Sequence, residues 1–234
     1  MIFGKIDYIN LLPFHIFLKR SSLNNAFKKA VHYKRGVPTD INYKFKKREV
    51  SGAFISSIES DKKNIRTLPL GIVAKNSVKS VIIKVGKQVD DPASASSNAL
   101  ARILGIQGEI FIGDIALKKY LSNPKEYIDL AQAWHKKYRL PFVFAVLCVN
   151  KHFDTYKKLA KKFKKTKIKI PQYILKDYAS KRGIEAKEIM EYLKLITYKI
   201  GKKEQKSLKL FLDKSKALGL KNKKEKEKLC QNTE

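Results

Sequence analysis

Short apolar runs alternate with segments of helical periodicity along the first two thirds of the chain, and this alternation constrains the fold more than any other feature. The runs at 78–85 and 140–149 are rich in β-branched or aromatic residues, which favour strands. The second run is the most apolar in the chain but is too short to cross a membrane, so it fits a strand buried on both faces. Strands that alternate with helices predict an α/β fold with parallel sheets.

The same patterns give an element map for the chain. We predict strands at 1–8, 51–58, 70–74, 78–85, 109–112 and 140–149. We predict helices at 11–18, 37–47, 93–104, 115–121, 129–138, 155–165, 171–182, 185–198 and 202–218. Residues 221–234 have little apolar content, so we expect a frayed end there.

Small polar residues fall in the turns between the predicted strands and helices: Asn10, Ser56, Ser57, Ser94, Ser96, Ser97 and Asp114. In open α/β sheets, ligands bind at the carboxyl ends of the strands. Helix N-termini at that edge supply free backbone N–H groups and the positive end of the helix dipole, which suit carboxylates and phosphates. The sequence therefore predicts a site for a small anion, assembled from several turns.

Each of these residues also has a plainer interpretation. Asn10 could cap the helix that follows it, and the serines at 94, 96 and 97 could form a capping loop. Asp114 comes directly after a strand, where a carboxylate can cap the next helix or contact a ligand, and capping is the favoured role. The repeated placement of hydroxyls at strand-to-helix turns is what favours a shared ligand site.

The net charge of +30, from 51 Lys and Arg against 21 Asp and Glu, invites a nucleic-acid interpretation. The densest basic run, 157–169, argues against it, because Leu159, Ala160 and Phe163 fall at helical spacing and leave the lysines on the solvent face. Zinc-finger spacings and RNP-like aromatic strands are also absent from the sequence. We therefore expect no nucleic-acid partner, although a basic protein attracts small anions to its clefts.

Signatures of metals, disulfides and membranes are absent from the sequence as well. Cys148 and Cys230 form no CxxC pair, and the four histidines have no metal-ligand spacing, so we expect no metal. No stretch approaches the ~20 apolar residues of a membrane span, and the N-terminal residues lack an export-signal cleavage site. We expect a cytoplasmic protein with no membrane partner, and the sequence leaves its oligomeric state open.

Seven stretches of the chain resemble the chorismate dehydratases of the futalosine route to menaquinone. They occur in family order, cover most of residues 1–150, and are GKIDYINLLPF at 4–14, GVPTDIN at 36–42, SGAFISSIE at 51–59, GIVAKNSVKSVII at 71–83, SASSNALARIL at 94–104, IGDIAL at 112–117 and DLAQAWHKKYRLPFVFAV at 129–146. The last stretch is the most specific, whereas the region after about residue 150 shows little that is recognisable.

This resemblance implies an α/β, two-lobed type II periplasmic-binding-protein-like fold with a ligand cleft between the lobes. Lobe one would comprise 1–84 plus 151–234, and lobe two would comprise 85–150. Family members commonly carry a longer segment where this chain has only 105–110, so lobe two is expected to be shortened. The family's serine loop often holds an arginine where this chain has Ala95, so another basic residue is expected to bind carboxylate.

The resemblance also implies a reaction, the loss of water from chorismate to give 3-[(1-carboxyvinyl)oxy]benzoate. The elimination makes the ring aromatic, so we expect a hydro-lyase that needs no cofactor, with dianionic chorismate as its small-molecule partner. Carried over by position, the catalytic residues are Asn10 and Ser80. The substrate-binding candidates are Thr39, Ser56, Ser94, Ser96, Ser97 and Asp114.

Three alternatives stay open. The sister enzyme, 1,4-dihydroxy-6-naphthoate synthase, shares the implied fold, but its N-terminal motif typically resembles Ser-Pro-Cys-Pro-Asn-Asp-Thr rather than the YINLLPF found at 8–14. A non-catalytic binding protein for a small carboxylate would bind chorismate without converting it. A nucleic-acid-binding protein would bind DNA or RNA with a steep dependence on salt.

Overall fold

The computed structural model describes residues 1–23, 25, 34–62 and 64–220. The strands are β1 (Phe3–Gly4), β2 (Gly52–Ser56), β3 (Arg66–Ala74), β4 (Val81–Val85), β5 (Gly108–Ile112), β6 (Ile128–Asp129), β7 (Phe142–Val149) and β8 (Ile196–Lys199). The α-helices with described bounds are α1 (Leu12–Arg20), α2 (Pro38–Lys46), α3 (Ser57–Ser60), α4 (Ala95–Leu104), α5 (Gly113–Ser122), α6 (Leu130–Tyr138), α7 (Phe153–Lys165), α8 (Gln172–Arg182), α9 (Ala186–Lys194) and α10 (Lys202–Ala217). Short 3-10 helices lie at Ile9–Leu11 and Pro124–Glu126.

The strands form two separate sheets. The larger has the order β1-β2-β7-β3-β8, and the smaller has the order β5-β4-β6. Strand β7 lies at the centre of the larger sheet and pairs with β2 on one side and β3 on the other. Its central position explains why it is the most apolar run of the sequence, because both of its faces are covered.

The strand directions differ from the sequence-based expectation. Of the ladders between the described strands, β1 with β2 is parallel, whereas β7 pairs antiparallel with both neighbours, as β8 does with β3. The smaller sheet is antiparallel throughout. The prediction of an α/β class is confirmed in its coarse form. The prediction of parallel sheets is wrong, because β7 and β8, which are distant in sequence from the strands beside them, pair antiparallel with those strands.

Two predicted elements need correction. The helix expected over 185–198 ends at Lys194, and Ile196–Lys199 becomes an edge strand that pairs with β3. The strand expected over 1–8 is reduced to two residues, because the chain turns into a 3-10 helix at Ile9. The expectation of a frayed end at 221–234 lies outside the described residues.

Amphipathic helices cover the sheets. In α7 the buried residues are Tyr156, Leu159, Ala160 and Phe163, and the lysines of this helix are exposed, which confirms the predicted solvent face. Helix α6 buries Trp134 against α10, where the indole Nε1 donates to Ser207 Oγ at 3.0 Å. Within the described residues, no helix is both long and apolar enough to cross a lipid bilayer.

Candidate functional site

A cavity of about 550 Å³, a volume that includes the space at its mouth, is lined by residues from both sheets and from the turns that follow their strands. Most of the lining is apolar, with Phe54, Ile72 and Phe144 among the wall residues. The polar side chains of the lining are Tyr8, Asn10, Ser56, Ser80, Ser94 and Ser97.

Five of the eight predicted site residues line this cavity: Asn10, Ser56, Ser80, Ser94 and Ser97. The other three lie outside the lining. Thr39 is in the first turn of α2, next to the lining residue Pro38, and Ser96 Oγ accepts the Ile58 N–H at 3.2 Å. Asp114 lies one residue beyond Gly113, which does line the cavity.

Several helices begin at the cavity wall. Pro38 is the first residue of α2, Gly113 is the first residue of α5, and Ser94 is the N-cap of α4. Each start carries the positive end of a helix dipole, while the Gly113 N–H donates to the Ser80 carbonyl and the Ser97 N–H donates to Ser94 Oγ. No lysine, arginine, aspartate or glutamate belongs to the lining that the described residues provide. Backbone dipoles are therefore the positive groups among these lining residues, and the basic residue expected in place of an arginine at Ala95 stays a prediction.

The backbone of Asn10 is held by a residue that is distant in sequence. Tyr198 on β8 donates its hydroxyl proton to the Asn10 carbonyl at 2.6 Å. The side-chain Oδ1 of Asn10 is buried and has no hydrogen-bond partner. A buried acceptor without a partner carries a free-energy penalty that a ligand donor would relieve. The side-chain oxygen is thus available to a bound molecule while the main chain stays fixed.

Ser80 lies at the end of a turn that a buried carboxylate holds. Asp129, 2% exposed, accepts the Val78 N–H at 2.8 Å and the Lys79 N–H at 2.7 Å with its Oδ2. Its Oδ1 caps α6 through two further backbone N–H groups. The Ser80 carbonyl accepts the Gly113 N–H at 2.9 Å, so the turn is also joined to the start of α5.

Two serine hydroxyls of the cavity wall, those of Ser56 and Ser97, accept hydrogen bonds from neighbouring side chains. Asn42 donates to Ser56 Oγ at 2.9 Å and accepts the Ser56 N–H at 3.1 Å. Ser94 donates to Ser97 Oγ at 2.7 Å. Because Ser56 and Ser97 act as acceptors in these bonds, each keeps its own proton for a further partner. The wall therefore offers hydrogen-bond donors, which suit an anionic ligand.

Tyr8 closes one side of the cavity and packs on Gly113. The glycine has a φ of +68°, and a Cβ built there would lie 2.7 Å from ring atoms of Tyr8, so a glycine is required both for the backbone conformation and for the ring. Burial, together with the nearby charges of Asp91 and Asp114, raises the pKa of the Tyr8 hydroxyl to about 12. Tyr8 therefore stays a neutral donor at any working pH.

Asp114 connects the start of α5 to the segment that carries Asn10. Its Oδ1 accepts the Ile9 N–H at 2.9 Å, and its Oδ2 pairs with the Arg182 guanidinium. Arg182 also donates to the Asp7 carbonyl at 2.9 Å. Burial raises the pKa of Asp114, whereas the Ile9 N–H and Arg182 lower it. The expectation that Asp114 caps its own helix is wrong, since its carboxylate makes no capping bond in α5.

Four residues of the site were not predicted from the sequence. Tyr8 and Asn42 lie within the recognised stretches at 4–14 and 36–42, and that membership could have marked them. Tyr192 and Tyr198 lie in the region without recognisable motifs. They reach the site through contacts over 112 and 188 residues, and no local pattern carries that information.

Metal binding has no support in the side-chain arrangement. No group of three or more histidine, cysteine, aspartate or glutamate side chains that could hold a metal ion occurs in the part of the chain that the structure describes. The arrangement that remains is a largely apolar cavity with an unpaired amide oxygen, several hydroxyl donors and helix N-termini.

Comparison with known proteins identifies the family of this chain. The sequence model of the menaquinone biosynthesis family matches residues 92–217. A chorismate dehydratase from Campylobacter jejuni subsp. jejuni serotype O:23/36 (strain 81-176) is 51% identical over 223 residues, which span 94% of this chain and 100% of the relative. The crystal structure of protein AF1704 from Archaeoglobus fulgidus superposes with a TM-score of 0.64 over 93% of this chain and 97% of that one, at 12% identity, and so shares the fold. The chain therefore belongs to the menaquinone biosynthesis family, together with the Campylobacter jejuni chorismate dehydratase.

Proposed function

We propose that this chain is a chorismate dehydratase, a hydro-lyase of menaquinone biosynthesis that converts chorismate into 3-[(1-carboxyvinyl)oxy]benzoate and water. The observation that carries this proposal is the 51% identity to a chorismate dehydratase along that enzyme's whole length. The cavity supports it, because its uncharged walls and helix N-termini suit a small dianion with an apolar ring.

The reaction is an elimination across two neighbouring ring carbons. The proton leaves the carbon that bears the enolpyruvyl ether, its C–H electron pair forms the new ring double bond, and the adjacent C–O bond breaks. The hydroxide takes up a proton and departs as water, so there is no net oxidation or reduction. Because the product ring is aromatic, the protein has only to orient the substrate and assist the proton transfers.

The two carboxylates of chorismate need positive partners, and the helix starts at Pro38, Ser94 and Gly113 supply them. Partial charges fixed in the backbone need no reorganisation when the substrate binds, which makes them effective in a site that excludes water. Ser56 and Ser97 add neutral donors. Ser96 and Asp114 instead hold neighbouring backbone, through the Ile58 and Ile9 N–H groups, and Thr39 lies beside the lining residue Pro38.

Asn10 and Ser80 are the residues that we assign to the reacting ring. The unpaired Asn10 Oδ1 orients the hydroxyl that leaves, and Ser80 donates a hydrogen bond to the substrate. An amide is too weak a base to remove the ring proton by itself. A carboxylate of the substrate therefore shares that proton transfer.

The two sheets support a two-lobed architecture with the cavity between the lobes. The smaller sheet, β5-β4-β6, lies within 81–129, and β7 returns to the larger sheet from Phe142 onward. The proposed lobes are 1–84 with 151–234, and 85–150. Sheet membership favours crossing points slightly nearer the N-terminus, between β3 and β4 and between α6 and β7.

The test is to incubate the purified protein with chorismate alone and to follow the aromatic product by absorbance and mass spectrometry. We expect 3-[(1-carboxyvinyl)oxy]benzoate to appear without added metal or nucleotide. Asn10→Ala should lose at least about 100-fold in kcat, as is usual when one preorganised polar group is removed. Tight binding of chorismate without turnover would indicate a carboxylate-binding protein instead. Full turnover by Asn10→Ala would refute the role of that residue.

A further inference from the structure

Tyr192 is the one fully buried tyrosine hydroxyl that contacts a side chain assigned to the reaction, among the residues that the structure describes. It lies on α9, is 3% exposed, and its hydroxyl oxygen is 2.8 Å from Ser80 Oγ. The Asn10 side chain hydrogen-bonds the same hydroxyl. One phenol therefore joins the two residues that face the reacting ring, although it does not itself line the cavity.

The hydrogen-bonding capacity of these groups determines the direction of each bond. The side-chain oxygen of Asn10 is the atom without a partner, so its amide N–H faces the phenol and can only donate. A phenol that accepts from Asn10 keeps its own proton to donate to Ser80 Oγ. Ser80 then accepts from Tyr192, and its hydroxyl proton points to the cavity.

We propose that Tyr192 is a positioning residue that fixes the hydrogen-bond polarity of the site, so that Ser80 presents a donor and Asn10 presents an acceptor to the substrate. This inference rests on the proposed function, because it assigns Tyr192 a role in that reaction. The arrangement suits a substrate with a carboxylate or ether oxygen on one side and a hydroxyl donor on the other.

Burial keeps each of these hydrogen bonds in one donor-to-acceptor direction. Ser80 is 2% exposed and Tyr192 is 3% exposed, so reversing their hydrogen bond would leave a buried group unpaired. Burial also raises the pKa of the Tyr192 hydroxyl far above neutrality, against the opposing effect of its bonds to Ser80 and Asn10. Tyr192 therefore remains a protonated donor throughout the pH range of any assay.

The test is Tyr192→Phe, which removes one oxygen and keeps the ring in its packing. We expect kcat to fall by about 10–100-fold and KM to change less than about threefold, because the loss concerns orientation at the reacting atoms rather than general affinity. Tyr173→Phe is the matched control, since it makes the same chemical change at a 74% exposed position and should leave kcat unaltered.

A double-mutant cycle separates positioning from simple structural support. If Tyr192 acts through Ser80, Tyr192→Phe should cost little more in a Ser80→Ala background than Ser80→Ala alone. Equal losses in both backgrounds would overturn the proposal, as would a wild-type kcat for Tyr192→Phe. If the unaltered protein binds chorismate without converting it, the proposed function fails. The same cycle is then run on the Kd for chorismate, where additive losses overturn the polarity role.

Discussion

Asp129 provides a quantitative test of how the turn before Ser80 is held. Asp129→Asn keeps an oxygen for the two capping bonds to α6 but places an amide NH₂ opposite the Val78 and Lys79 N–H groups. Each buried donor that loses its acceptor costs about 1–2 kcal/mol, so we expect the free energy of unfolding to fall by about 2–4 kcal/mol. Lys79 also has a φ of +59°, a conformation that these two bonds maintain.

The measurement is urea denaturation followed by circular dichroism, together with a thermal melt. For a chain of this size, a loss of 2–4 kcal/mol lowers Tm by about 4–16 °C. Asp90→Asn is the matched control, because Asp90 is an exposed carboxylate paired with Arg102, and such surface pairs contribute at most about 1 kcal/mol. A stability of Asp129→Asn within 0.5 kcal/mol of the unaltered protein would refute the reasoning. A simultaneous loss of kcat is expected, because Ser80 follows the released turn.

Three further predictions concern the cavity wall, the support behind it and the core. Gly113→Ala places a Cβ against the ring of Tyr8 at a residue whose φ is +68°. We therefore expect KM for chorismate to rise several-fold in steady-state kinetics. An unchanged KM would contradict the packing described. Asp114→Ala leaves the partly buried Arg182 without its carboxylate and should lower the free energy of unfolding by about 2–4 kcal/mol in urea, whereas a change below 0.5 kcal/mol would show that the pair is not structural. Burial raises the pKa of the Cys148 thiol. Alkylation of this thiol at pH 8, detected by mass spectrometry of its peptide, should therefore require unfolding. Labelling of the native protein within minutes would contradict this.

The site residues that could be predicted from the sequence are those that a nearby motif or turn in the sequence identifies. Asn10 and Ser80 stand in recognisable stretches, and the serines at 56, 94 and 97 lie directly at strand-to-helix turns. The class of fold was accessible for the same reason, because periodicity within one segment shows whether it is a helix or a strand. All five of these side chains line the cavity.

What could not be predicted depends on partners far along the chain. The direction of β7 follows from its insertion between β2 and β3, and nothing in the run 142–149 encodes which neighbours it will have. Residues 196–199 continue a helical pattern and become a strand only because the edge of β3 is open to them. The positive end of a helix dipole is likewise not visible as a residue type, so the helix starts at the cavity wall could not be assigned from the sequence alone.

The bond between Tyr198 and Asn10 has a consequence for the newly made protein. Asn10 leaves the ribosome early, whereas the hydroxyl that fixes its carbonyl follows 188 residues later. At about 5–20 residues per second, roughly 10–40 seconds of translation separate the two. A nascent chain therefore carries Asn10 long before it can hold the Asn10 carbonyl in place. The anchoring bond forms only when β8, an edge strand of the larger sheet, docks against β3.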